Sequence, residues 1–424
     1  MLLKRLWKLI TLTIVIVAVL VTYFVYTSLV VAKQFPEVVI ENIKGDEEFI
    51  KDVTVSGDYY QDNEIYMSAF MVSTKGSKYR SNLSFIEDLN PNFPPDEVST
   101  LQKDYKRFMR GKWNIPGYYF QNDEYLAYAV AKTDEWNGVN NPEYYFEVEV
   151  LTKETNETNS FTIDIPDREN FYNVQVVDVQ VFNGEVKVVT QIGYYTTNQR
   201  YEYEIKVYAI DMKNGKITSD ETIGRDEKGQ ENSDEGSGYS LLNDFGNISE
   251  QKHLIVQKED QREVKVTTED NMESVETQTV DRTFFVYDLE SNERQELTLS
   301  KEIQKEIMSL DYLVAASSVD GYVYLTFIVN GDLSIVGYDL ENGNEEIEYR
   351  INLEKFGMEE PRVLKIKDKR FYLSDYQLTN ESSAKVIVGD ITTGKVLYEG
   401  EIVLKDAKFK SEKDRLELTN IVIN

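Results

Sequence analysis

Cysteine is absent from the 424 residues, and histidine occurs once, at His253. Without cysteine there is no disulfide, no thiolate metal ligand, no cysteine nucleophile and no lipid-modified cysteine, so the fold rests on its own core. One imidazole cannot build a multi-histidine metal centre, and any Ser-His-Asp relay would need that single residue. At the head of an expected strand over 254–257, His253 reads as a surface residue. The phosphate-cradling Gly-x-x-x-x-Gly-Lys run and the Gly-x-Gly-x-x-Gly dinucleotide loop are missing too. No catalytic residue, cofactor or metal site is therefore expected. Basic side chains are scarce as well: 46 Lys and Arg face 75 Asp and Glu, a net −29. All three charged residues before position 33 are basic, which leaves 43 basic and 75 acidic side chains in 33–424. Such a body repels nucleic acid and anionic lipid, and nucleic acid is excluded as a partner.

Only one apolar run reaches membrane length. Residues 9–32 carry no charge, follow Lys4, Arg5 and Lys8, and end at Lys33. As a helix, 24 residues span about 36 Å, against a hydrocarbon core of about 30 Å. A cleaved secretion signal usually has an apolar region of about 7–15 residues, so the longer run favours an uncleaved anchor. The basic residues Lys4, Arg5 and Lys8 then set the topology: a cytoplasmic stub over 1–8, one transmembrane helix over 9–32, and everything from about residue 38 outside the cytoplasm.

The body repeats itself. Tyr208-Ala-Ile-Asp211, Val286-Tyr-Asp288, Gly337-Tyr-Asp339 and Gly389-Asp390 each close a run of β-formers, and Gly215, Gly343 and Gly394 follow three of them. The aspartates at 288, 339 and 390 lie 51 residues apart twice in succession, a period that marks a repeat architecture. The clearest unit has strands over 176–182, 185–192, 201–210 and 216–222, with a tight turn at Asn183-Gly184. Further units start near 53, 118, 239, 312 and 363, the one at 239 with a polar excursion over 267–278. A last hairpin over 407–419 has no unit of its own, and 38–43 is its expected partner in a seventh, composite unit.

This pattern resembles the β-propeller class over roughly residues 38–424, through the apolar-Tyr-Asp-turn-Gly ending of the third strand. No Trp-Asp dipeptide or tryptophan-docking motif accompanies it, so the resemblance implies no cofactor. It implies an all-β propeller of six or seven four-stranded blades behind the transmembrane helix. Tandem β-sandwiches, which also place turns every 8–12 residues, are the alternative. Two segments interrupt the strands: a helical insertion over 96–110, with acidic residues at its start and Gly111 as stop, and a loop over 225–238, expected to be disordered because it holds no large apolar residue.

What the body does leaves no local motif. The tyrosine pairs 59–60, 118–119, 144–145 and 194–195 suit a binding patch, but tyrosine is also a strand former. Asp339 to Glu345 is similar to a calcium loop, yet its glycine stands fifth where that loop needs it sixth, so an ordinary turn explains it. The expected function is a membrane-tethered, extracytoplasmic, non-enzymatic binding or sensor module for a protein or a cell-envelope polymer. The alternative is a glycan-acting hydrolase using paired carboxylates.

Overall fold

The computed structural model describes residues 7, 11–19, 22, 35–61, 66–83, 93, 96–133, 143–166, 171–195, 201–228, 235–267, 273–310, 315–358, 361–405, 409 and 411–423. Near the amino terminus Trp7, residues 11–19 and Thr22 are helical; the rest of the expected span, with Lys4, Arg5 and Lys8, lies outside the described residues. Among the described residues no helix is long and apolar enough to cross a membrane.

Six antiparallel sheets follow. Blade II holds Tyr119–Gln121, Tyr125–Thr133, Tyr144–Thr152 and Glu157–Asp164. Blade III holds Phe171–Phe182, Glu185–Tyr195, Tyr201–Asp211 and Ile217–Arg225. Blade IV holds Glu235–Leu241, His253–Thr267, Glu273–Asp288 and Glu293–Leu297, and blade V Ala315–Val319, Tyr322–Val329, Asp332–Asp339 and Asn344–Asn352. Blade VI is Pro361–Lys367, Arg370–Asp375, Ala384–Asp390 and Val396–Leu404. Blade I is composite: the C-terminal strand Arg415–Ile423 pairs with Val53–Gln61, which pairs in turn with Tyr66–Ser73 and then Gly76–Tyr79.

This pairing corrects the expected seventh unit. The C-terminal strand supplies the missing first strand of blade I, with Val53 opposite Ile423, and Val38–Gly45 instead adds a fifth strand to blade VI, with Val38 opposite Leu404. Val38–Gly45 and Arg415–Ile423 thus complete blades VI and I, and the count among the described residues is six.

The sandwich alternative fails on burial. A sandwich sheet buries one face, so its strands alternate apolar and polar. Here Leu254, Ile255 and Val256 are consecutive and all fully buried. Leu254 and Val256 join the core between blades III and IV, while Ile255 joins that between blades IV and V. Phe284 and Val286 face one seam, Phe285 and Tyr287 the other. Similar apolar clusters join blades II to III, V to VI and VI to I. Sheets covered on both faces by their neighbours are blades of a wheel. The remaining cluster packs the helix α1 (Glu97–Asp104) against Tyr119, Leu126, Tyr128 and Val130 of blade II.

The insertions differ from expectation in detail. Helix α1 opens on a reciprocal cap between Asp96 and Ser99 but stops at Asp104, because Tyr105 leaves helical geometry at φ −119, ψ 47. The chain then turns so that Phe108 and Met109, adjacent in sequence, both become buried. The 225–238 segment is partly ordered: Glu227 pairs with Ser237 and Lys228 with Gly236, while 229–234 lie outside the described residues. The polar excursion is a two-stranded ribbon, since His253–Thr267 and Glu273–Asp288 stay paired along their whole length. A second helix, α2 (Lys301–Met308), is fixed by Arg282, whose buried guanidinium donates to the carbonyls of Ile307 at 2.7 Å and Leu310 at 2.6 Å.

Candidate ligand-binding face

The third and fourth strands of each blade are joined on one face of the wheel, and the repeated aspartates build those turns. Asp211 Oδ1 accepts from the backbone N–H groups of Lys213 and Asn214, both at 2.9 Å. Asp288 does the same with Glu290 and Ser291, Asp339 with Glu341 and Asn342, and Asp390 with Thr392 and Thr393. In every copy the residue four places on returns its N–H to the aspartate carbonyl, and this residue sits in the left-handed region: Gly215 at φ 66, Gly343 at φ 69, Gly394 at φ 65. Blade IV uses Asn292 at φ 59 in that place, and blade II repeats the turn from Thr152 to Asn156. Asparagine tolerates this conformation better than most residues, which is why the turns survive without glycine. Donated hydrogen bonds hold the Asp211 and Asp339 carboxyls below the usual range.

First and second strands meet on this same turn face, at Asn183-Gly184, Asp320-Gly321 and Asp368-Lys369. In blade IV the connection is longer. Residues 242–252 fold inward over the hub and touch the innermost strands of three other blades. Gln121 N–H donates to the Ile248 carbonyl at 2.7 Å, Gln251 N–H to Gln180 Oε1 at 2.9 Å, and Lys365 meets Asp244 at 3.2 Å. Ile248 N–H donates to Glu97 of α1 at 3.0 Å, and Glu97 also pairs with Lys367. The wheel's own loop bridges the hub from blade to blade.

Beside this plug two cavities adjoin. One, of about 840 Å³, lies between blades IV and V and is lined by Asp288, Glu293, Arg294, Tyr322, Asp339 and Glu341, among others. The second, of about 600 Å³, runs from the plug along the inner strands of blades V and VI, past Ser318, Lys365 and Lys369. His253, Asp320 and Gly321 line both. A third, of about 1150 Å³, lies away from the hub between the end of α1 and blade II.

His253 is half-buried at the boundary, not on the open surface as its sequence position suggested. Its Nδ1 is 2.7 Å from Ser318 Oγ, and its Nε2 is 3.6 Å from Asp288 Oδ2. Burial lowers its pKa, and Lys252 adds to this while Asp288 opposes it. With its proton on Nε2 the ring accepts from Ser318 at Nδ1, and with its proton on Nδ1 it donates to Ser318 Oγ. The order serine, imidazole, carboxylate is that of an acyl-transfer relay with the ring nitrogens exchanged. Asp288 is committed elsewhere too: its Oδ1 holds the turn, and Oδ2 is 3.4 Å from Lys252.

Of the repeat signature, the structure brings Asp288 and Asp339 to the cavity wall, while Asp211, Gly215, Gly343, Asp390 and Gly394 serve only turns. Each tyrosine pair sends one ring inward, since Tyr59, Tyr119, Tyr144 and Tyr194 are buried, which removes the pairs as patches. The Asp339 loop is a capped turn, and no group of three or more potential metal ligands occurs among the described residues. Sequence reasoning missed Ser318 and the 242–252 plug; the one usable signal was the unusual length between the first two strands of blade IV.

No family model and no curated protein matches the chain. Solved structures do. One of two prolyl endopeptidases is 10% identical over 84% of this chain and 50% of its own, with a TM-score of 0.31. The polysaccharide lyase Uly1 is 8% identical over 87% of this chain and 77% of its own, TM-score 0.35, and the Dos1 propeller is 10% identical over 70% and 76%, TM-score 0.26. The chain thus spans about half the length of the endopeptidase. TM-scores this low carry no argument; the β-propeller class rests on the six sheets and their shared apolar seams.

Proposed function

We propose that the chain is a membrane-tethered binding module outside the cytoplasm, anchored by residues 9–32 with Lys4, Arg5 and Lys8 on the cytoplasmic side. It takes a protein segment or a cell-envelope polymer on its turn face, without chemistry. The observation that supports this reading is the pair of adjoining polar cavities beside a hub bridged by the wheel's own loop. The two cavities together run across blades IV, V and VI, and the ligand lies along them. Glu293, Asp320 and Glu341 beside Arg294 and Tyr322 offer charge of both signs and one ring, which suits a hydroxyl-rich or basic segment. The full chain in detergent, immobilised and exposed to envelope extract, tests it. Retention of a specific protein or polymer that is lost in the exposed double variant Glu293→Lys/Glu341→Lys, at unchanged unfolding midpoint, supports the proposal. Equal retention by both, or none by either, counts against it.

A second reading, hydrolysis, is favoured by one contact. The reacting pair is Ser318 and His253 at 2.7 Å, not the two carboxylates a glycosidase requires. Labelling of Ser318 by a fluorophosphonate probe in the native chain, abolished in His253→Gln, would establish it. An unlabelled Ser318 leaves binding alone.

A further inference from the structure

The chain enters the wheel through an aromatic clamp. Phe35 is buried, its ring stacked on Tyr79 at 4.8 Å and set edge-on to Tyr59 at 5.7 Å, and Phe409 stacks on Tyr59 at 6.2 Å. Backbone contacts reinforce it. Tyr79 Oη donates to the Pro36 carbonyl at 2.7 Å, Lys405 N–H to the Glu37 carbonyl at 2.9 Å, and Val38 N–H to Ser77 Oγ at 3.0 Å. The position of this clamp relative to the turns is fixed by register. Val396–Leu404 leaves the Asp390 turn on the turn face and ends at Leu404 on the opposite face, where Val38 pairs with it. Val38 N–H reaches Ser77 beside the blade I turn, but Phe35 itself packs on Tyr59 near the Tyr60–Arg415 end of its strand. Phe409 N–H donates to Asn380 on the connection between the second and third strands of blade VI, so the chain comes in from the face remote from the cavities.

Only Lys33 and Gln34 separate Phe35 from the last residue of the apolar run, Ala32. Three residue steps reach at most about 11 Å, so the mount is short as well as clamped. Blade strands of about nine residues rise roughly 30 Å from one face to the other. We infer that the wheel stands with its entry face against the bilayer and its turn face outward, so that the cavities between blades IV, V and VI take a water-borne ligand from the exterior and not a lipid. The inference rests on the tether proposed above. On the same entry face the blade IV ribbon extends past its neighbour: Glu235–Leu241 pairs no further along it than Arg262, and Val275 beyond that point is exposed. The ribbon accordingly lies on the membrane side and away from the ligand.

The absence of cysteine makes the test direct, because single cysteines can be added without removing any. Lys355→Cys and Glu381→Cys sit on exposed entry-face connections, and Lys213→Cys and Lys395→Cys on exposed turns of the cavity face. Each full-length variant, labelled with a donor and reconstituted into vesicles carrying a headgroup acceptor, reports its height above the membrane. Transfer severalfold greater from 355 and 381 than from 213 and 395 is the expected result. Equal transfer from all four, or the reverse order, in chains that float with the vesicles overturns the orientation while leaving the tether intact. Chains that fail to float overturn the tether, and the orientation with it.

Discussion

Asp178 offers the sharpest physical test of the hub. It lies on the innermost strand of blade III and is fully buried, with no cation beside it in the described structure. Its Oδ1 accepts from Val179 N–H at 2.9 Å, and both oxygens receive Gln180 Nε2 at 3.2 Å. Burial outweighs these donors and pushes its pKa from the usual 3.8 up to about 8. The folded state then keeps a proton that the unfolded chain releases near pH 4. Stability from this group is complete below about pH 4, falls as pH rises, and is lost once pH passes about 8. Roughly four units at 1.36 kcal/mol each set a ceiling of about 5 kcal/mol on the change. Asp178→Asn keeps an Oδ1 acceptor and removes the titration. Urea unfolding at pH 5, 6.5 and 8 should show the variant gaining on the wild type at each step, by a few kcal/mol in total. Because Gln180 also receives Gln251 N–H from the plug, the same series should show protease cleavage within 242–252 rising with pH in the wild type only. A stability difference that does not change with pH, or a variant that loses ground as pH rises, refutes the reasoning.

Two further outcomes follow from packing and backbone geometry. Arg282→Ala strips the cap from α2 and leaves Glu259, now 2.8 Å from the guanidinium, without its cationic partner, so denaturant unfolding should show a loss of about 3 kcal/mol. Gly394→Ala places a Cβ 2.6 Å from the Tyr349 ring at a backbone φ of +65 and should cost more than about 1 kcal/mol, whereas Asn292→Gly, at the equivalent turn position, should change the unfolding midpoint little.

The parts of this fold legible in the sequence are those set by neighbouring residues. Asp211, Asp288, Asp339 and Asp390 announced their turns because one carboxylate oxygen meets N–H groups two and three residues ahead. The same local signature hid the blade II copy, where Thr152 and Asn156 replace aspartate and glycine while the turn hydrogen bond remains at 2.8 Å. Blade number was not legible in this way. It depends on whether Ile423 meets Val53 or Val38, a choice between partners about 370 or more residues away, and strand periodicity carries a face, not a partner. Runs such as Leu254-Ile255-Val256 did hold the answer to wheel or sandwich, since three consecutive buried apolar residues need cover on both sides of a sheet.

The candidate site was illegible for a related reason. His253 closes on Ser318 of the next blade, and the cavity they share is completed by Lys365 of the blade after that. Each of these residues is unremarkable in its own strand, and only the rotation that sets successive blades side by side makes them neighbours. The plug follows the same logic: Asn243 Nδ2 binds the His253 carbonyl at 2.8 Å and its Oδ1 receives Ile255 N–H at 2.7 Å, so one side chain ties residues 242–252 to the strand that bears the histidine. A change in the plug is therefore transmitted to the His253 strand through two hydrogen bonds between the Asn243 side chain and its backbone. This coupling predicts that Asn243→Ala shifts both the accessibility of the hub and the titration of the only imidazole, which a single-histidine NMR signal would report without assignment. An imidazole resonance that titrates identically in Asn243→Ala and wild type would show that the plug and the cavity are independent.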